Sequence, residues 1–193
     1  MATQPTFAQL VSLACHDLRT PLATASGFAH TLARLDALEA PADRYVGMIG
    51  AASDQMAQLL DLLGAAARIE AGRFESQTRS ADSRELADAA ASRVGSEAAV
   101  DGEGQEVGVD PVWTETALTA LGECVRRHGA LPTVSFSVVG PEVSIGPVRD
   151  GVGEIALGEE LKDFGAAVGS KVLRAMGAEL SLEGESLKIR LPQ

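Results

Sequence analysis

The chain has 193 residues, 46% of them hydrophobic, and its 27 acidic against 16 basic side chains give a net charge of −11. That is enough apolar material for a buried core in one or two small domains. The acidic balance excludes nucleic acid and an anionic membrane surface as partners, because both are held through basic patches. No run approaches the roughly 18 apolar residues of a membrane span, and the N-terminus lacks the basic and apolar regions of a signal peptide, so the sequence reads as cytoplasmic.

In chain order, apolar residues recur at Leu10, Ala14, Leu18, Leu22 or Ala25, Ala29 and Leu32, which predicts a helix with one buried stripe. His16 lies two residues from both Ala14 and Leu18, so at about 100° per residue it points away from that stripe and is expected to be exposed. Arg19 and Thr20, three and four positions on, share its face, while the adjacent Asp17 reaches only the near side of the ring. Pro21 has no N–H for the carbonyl of Asp17, which predicts a bend just beyond the histidine and a site open to a partner. A neutral imidazole held as N–H on one nitrogen keeps the other free to attack phosphorus. His16 is the candidate nucleophile and Asp17 its base or orienter. The plainer alternative is a surface His-Asp pair without chemistry.

A turn over Asp36 to Ala42 leads to a second helix from about Asp43, carrying Tyr45, Ile49, Ala52, Met56, Leu59, Leu63 and Ala66 at alternating spacings of four and three. Such a seam belongs to a bundle. Two such helices form a hairpin with too little partner surface of its own, and a twofold dimer making a four-helix bundle is the economical solution. Gly72 is the expected C-terminal cap.

From Arg73 the texture changes. A helix is expected over residues 82–94, then a Gly-rich acidic stretch over 95–108 in which strands are poorly signalled, then a helix from Pro111 to about His128. Residues 133–139 and 142–148 read as a hairpin around Gly140-Pro141, followed by a helix over 162–176 and strands near 179–183 and 187–191. The sequence divides at about residue 75 into a helical hairpin (1–75) and an α/β layer domain (76–193), an α+β chain. Cys15 and Cys124 lie far apart, with no CxxC pair and three histidines in all, so neither a disulfide framework nor a zinc site is indicated. Cys15 reads as a small helix residue, and His30 and His128 as surface positions.

The run His16-Asp17-Leu18-Arg19-Thr20-Pro21-Leu22 resembles the H-box of sensor histidine kinases, whose histidine accepts phosphoryl within a dimerisation hairpin. Ala65-Ala66-Ala67-Arg68-Ile69-Glu70-Ala71-Gly72 resembles the end of that hairpin's second helix. Further on, Ala175-Met176-Gly177-Ala178-Glu179-Leu180 and Leu187-Lys188-Ile189-Arg190-Leu191-Pro192 resemble the closing elements of the family's ATP-binding domain. The resemblance implies a dimeric four-helix bundle followed by a histidine-kinase-like α/β sandwich, with His16, Asp17, Arg19, Thr20 and Pro21 as the site.

The nucleotide-binding residues depart from that pattern. Ala120 and Cys124 stand at the two asparagine places of the N-box, and neither supplies a hard oxygen ligand for magnesium. Asp150, with Gly151 and Gly153, has the wrong spacing for the adenine-binding motif. The last helix opens on Asp163-Phe164-Gly165 where a Gly-x-Gly is expected to offer amides to phosphate, so Asp163 is expected to cap those amides itself. About fifteen residues between Val148 and Asp163 leave too little chain for both a hinge helix and a lid. The domain therefore reads as degenerate, with no cofactor of its own.

A phosphoacceptor hairpin without ATP must obtain phosphoryl elsewhere. The resemblance implies a response-regulator receiver domain as donor and acceptor, with magnesium supplied by that partner, and a histidine phosphotransfer protein similar to the dimeric phosphotransferases of phosphorelays. Thr20, four residues after the histidine, is where such proteins position water to dephosphorylate the partner. A divergent active kinase and a non-catalytic module binding a receiver or kinase are the two competing readings.

Overall fold

The computed structural model describes residues 7–34, 41–95 and 97–193, without the side chains of Phe7, Gln9, Leu10, Ser12 and Leu13. The expected turn after residue 34 lies, up to residue 40, outside the described residues, as does the side chain of Leu10. The chain forms two compact units, Met1–Arg73 and Phe74–Gln193.

The first unit is a hairpin of two long helices, α1 (Phe7–Arg34) and α2 (Ala42–Glu70), packed along one another. α1 runs unbroken through Pro21. α2 ends in a Schellman turn: Gly72 takes φ +62°, its N–H donates to Ile69 O at 3.0 Å, and Arg73 N–H donates to Arg68 O at 2.8 Å.

The buried seam is only in part the one the apolar periodicity predicts. In α2 the seam holds Val46, Gly50, Ser53, Ala57, Leu60, Gly64 and Ala67, a heptad row of mostly small residues, and in α1 it holds Val11, Cys15, Leu22, Ser26 and Ala29. Leu22 and Ala29 of the predicted rows lie in it and Leu63 and Ala66 are half-buried, but Leu18, Leu32, Tyr45, Ile49, Met56 and Leu59 are exposed. Gly50 lies opposite Ala29 and His30, where an added Cβ would stand 3.9 Å and 3.4 Å from their nearest atoms, an ordinary contact distance, so at this point the helices meet through small residues.

The second unit is a five-stranded sheet of order β2-β4-β5-β7-β6 with helices against it, plus a two-stranded ribbon β1-β3. Its elements are β1 (Arg79–Asp82), α3 (Ser83–Val94), β2 (Ala99–Gly104), β3 (Glu106–Val109), α4 (Pro111–His128), β4 (Ser135–Gly140), β5 (Glu142–Gly146), α5 (Val152–Ala156), α6 (Phe164–Ala175), β6 (Glu179–Glu183) and β7 (Ser186–Arg190). Only the β2–β4 pair is parallel. β1 and the short α5 are absent from the sequence reading. β1 has the sequence Arg-Ser-Ala-Asp, with no apolar alternation, and pairs only with β3. α5 spans five residues, within the segment judged too short to hold both a hinge helix and a lid.

The sheet has one apolar face. Phe136 and Val138 on β4 stand opposite Ile145 and Val143 on β5, which stand opposite Leu187 and Ile189 on β7, and all six are fully buried. The intervening residues are polar: Glu142 bonds Lys188 at 3.0 Å and Arg190 at 3.2 Å. That pairing, led by the Lys188 bond, holds the Glu142 carboxyl below its ordinary value. A sheet polar on one side and apolar on the other carries helices on one side only. α3, α4 and α6 lie side by side in that order, each opened by an aspartate that accepts backbone N–H bonds, Asp82, Asp110 and Asp163. Gly122 brings α4 onto the sheet, since a Cβ there would sit 2.9 Å from both Phe136 and Val94.

Phe136 is the largest fully buried side chain. Phe136→Ala is expected to cost about 3–5 kcal/mol by denaturant unfolding of the sheet domain, because it leaves a cavity under α4.

Candidate functional site

His16 stands on the first half of α1 with 79% of its side chain exposed. Its Nδ1 lies 3.2 Å from Asp17 Oδ1. An ionised carboxylate only accepts, so this contact uses an Nδ1 proton, and a neutral ring held this way keeps its lone pair on Nε2. The neighbouring acid thus reaches the near side of an exposed ring. Pro21, inside the helix, leaves the Asp17 carbonyl without its intrahelical donor.

Arg19 does not join His16. It crosses to α2, where Nη2 donates to Asp61 Oδ1 at 2.6 Å and Nε donates to the same oxygen at 3.2 Å. Thr20 is exposed, and its hydroxyl has no partner among the described residues; its carbonyl accepts from Thr24 Oγ1 at 3.0 Å. The structure therefore presents His16, Asp17 and Thr20 to solvent and commits Arg19 to the opposite helix.

His30, read from sequence as a plain surface residue, is half exposed but tied across the hairpin. Ser26 Oγ donates to Asp54 Oδ1 at 3.0 Å, and His30 lies 3.3 Å from Ser26 Oγ through Nδ1 and 3.4 Å from Asp54 through Nε2. Together with Arg19 and Asp61 these residues line an open cleft of about 450 Å³ between α1 and α2. A cross-helix partner on another element is invisible to a one-helix periodicity.

In the sheet domain, the positions that depart from the nucleotide-binding pattern come together. Asp163 is buried; Oδ1 accepts the Ala166 N–H at 3.0 Å, and Oδ2 lies 3.2 Å from both Arg127 Nη1 and His128 Nε2. His128 is thus no mere helix-end surface residue. Cys124, one turn before it, is buried, and burial first and the Asp163 charge second push its thiol up to about 12. Ala120 faces the start of α6, where a Cβ on Gly165 would lie 3.5 Å from its methyl. Asp150 sits in an exposed turn before α5. Magnesium and a triphosphate do not fit this residue set: Ala120 and Cys124 supply no oxygen ligand, and the α6 amide that would meet a phosphate already holds a carboxylate. Among the described residues, no helix is long and apolar enough to cross a membrane.

Arg19 and Asp61 are each about half exposed, so solvent screens their attraction. A double-mutant cycle with Arg19→Ala and Asp61→Ala, read by thermal unfolding, is expected to give a coupling below about 1 kcal/mol.

Residues 8–72 match the family model of the His Kinase A (phospho-acceptor) domain, a span that contains His16. No curated protein matches the chain. Among solved structures, full-length ShkA, crystallised in complex with AMPPNP, is 18% identical with a TM-score of 0.63; the match covers 97% of this chain and 46% of ShkA. The histidine kinase AdeS of Acinetobacter baumannii is also 18% identical, with a TM-score of 0.50, over 92% of this chain and 97% of AdeS. This chain therefore spans less than half the length of full-length ShkA. Its first seventy-odd residues carry a phospho-acceptor hairpin of the His Kinase A type, and hairpin and sheet domain have the fold of sensor histidine kinases.

Proposed function

We propose that this protein is a dimeric histidine phosphotransfer protein that moves phosphoryl between receiver-domain aspartates through His16, without binding ATP. One juxtaposition supports the reading: a phospho-acceptor-type hairpin with an exposed His16 beside Asp17 shares its chain with a kinase-type domain whose α6 opens on a capping Asp163. In this mechanism Nε2 of His16 attacks the phosphorus of an aspartyl phosphate in line, the bond from phosphorus to the carboxylate oxygen breaks, and the carboxylate leaves. The second receiver's aspartate reverses the step. Asp17, holding the Nδ1 proton, offsets the positive charge that develops on the ring, and positioning supplies most of the rate. Magnesium belongs to the receiver's own acidic site. In the same reading the exposed Thr20 orients water for hydrolysis of the receiver's phosphate, a second activity of that face.

The outward apolar residues support the dimer. Leu18, Leu32, Tyr45, Ile49, Met56 and Leu59 all lie exposed on the hairpin. A second hairpin covers them in a four-helix bundle.

Two measurements test the proposal. With a phosphorylated receiver, the protein is expected to acquire acid-labile, base-stable phosphate that His16→Gln abolishes, and with ATP and magnesium it is expected to acquire none. Label from ATP restores the kinase reading, and no label from either donor leaves the binding module. In light scattering the protein is expected at twice its chain mass, and Ile49→Asp, which places a charge in the covered row, is expected to halve that mass.

A further inference from the structure

We infer that Cys124, His128 and Asp163 form a binding site for a single zinc-like divalent metal ion, pinning the end of α4 to the start of α6. The ligand atoms of these three residues all lie within 4.8 Å of one another. They are the types such an ion selects, a thiolate, an imidazole and a carboxylate. Cys124 and His128 are four residues apart on α4 and so lie on one face a single turn apart. Asp163 arrives from the first turn of α6.

One pair of the three already has the separation an ion imposes, and closing around it draws in the third ligand. His128 Nε2 and Asp163 Oδ2 are 3.2 Å apart, and zinc bonds of about 2.0–2.2 Å at a tetrahedral angle separate nitrogen and oxygen ligands by about 3.3 Å. Charge also balances. A thiolate and a carboxylate neutralise a divalent cation, so the buried pair of Cys124 and Asp163 is no longer penalised for holding two negative charges side by side. Asp163 Oδ1 keeps its bond to the Ala166 N–H and orients the carboxylate. Arg127, now also on Oδ2, is more than half exposed and has an alternative acid in Glu123 at 3.7 Å. His128 is a quarter exposed and gives the ion its way in and a fourth position for water.

On binding, the Cys124 thiol loses its proton to solvent, the neutral imidazole carries its proton on Nδ1, and no electron changes hands. The site stands apart from phosphoryl transfer at His16, since its readout is metal binding alone.

Cobalt(II) and zinc are the probes, titrated into the full-length protein. One equivalent of cobalt is expected to give tetrahedral visible bands and a near-ultraviolet thiolate charge-transfer band, both discharged by zinc, with about one proton released. Cys124→Ser, which keeps size and burial, is expected to lose the charge-transfer band and to weaken zinc binding by at least about 100-fold, the upper end of what losing a mere outer partner costs. His128→Gln is expected to weaken binding comparably, with the fold of both variants checked by circular dichroism. Cobalt bound without a thiolate band, a band that survives Cys124→Ser, or no binding by the folded wild-type protein each overturns the proposal.

Discussion

The close approach of α1 and α2 sets what the hairpin can do. With Gly50, Ser53, Ala57 and Gly64 on one side of the seam and Cys15, Ser26 and Ala29 on the other, most of the contact between the helices is made by small residues, with Leu22 and Leu60 the larger ones. Leu18, Leu32, Tyr45, Ile49, Met56 and Leu59 stay outside it, where burial worth about 25 cal/mol per Å² is not realised. In the reading proposed, the surface left outside the seam is the one a second copy covers. His16 takes part in neither row. It sits one position past the buried Cys15 and two before the outward Leu18, and so stays available to a partner.

In the sheet domain, the helices are started by aspartates, and two of the three do more than cap. Asp110 holds the first amides of α4 and accepts the Gln77 N–H at 2.8 Å, fixing the segment that leads into the domain. Asp163 holds the first turn of α6 with one oxygen and the end of α4 with the other, where Arg127 and His128 lie among the basic residues of that helix's last turn. The joint uses both helix dipoles in their favourable sense, with an anion at the N-terminus of one and cations at the C-terminus of the other.

The sheet strands with strict alternation were legible in the sequence, because Phe136, Val138, Val143, Ile145, Leu187 and Ile189 announce a one-sided sheet by period two alone. The Asp163 cap was legible for a similar reason, since an aspartate just before a helix has one local role. What escaped depends on distant chain. The predicted rows of the hairpin divide, with Leu22 and Ala29 in the seam and Leu18, Leu32, Tyr45, Ile49, Met56 and Leu59 outside it, because periodicity marks an apolar face without saying what covers it. β1 carries no apolar signal and is made a strand only by β3. The Ser26–His30–Asp54 cluster and the meeting of Cys124 and His128 with Asp163 each join residues on two helices, which no single-helix pattern can reveal.

The electrostatics of Asp163 bear on why the kinase-type domain remains folded. A helix N-terminus presents roughly half a positive charge, and with Arg127 and His128 beside it a vacant phosphate position would be a concentration of uncompensated donors. Where a nucleotide supplies the balancing charge, the stability of that corner rises and falls with ligand concentration. Here a compensating anion is part of the chain, and Asp163 already holds the first turn of α6 and the end of α4 together. In the mechanism proposed, that corner is set independently of nucleotide, and the hairpin answers to the phosphorylation state of the protein that docks at His16.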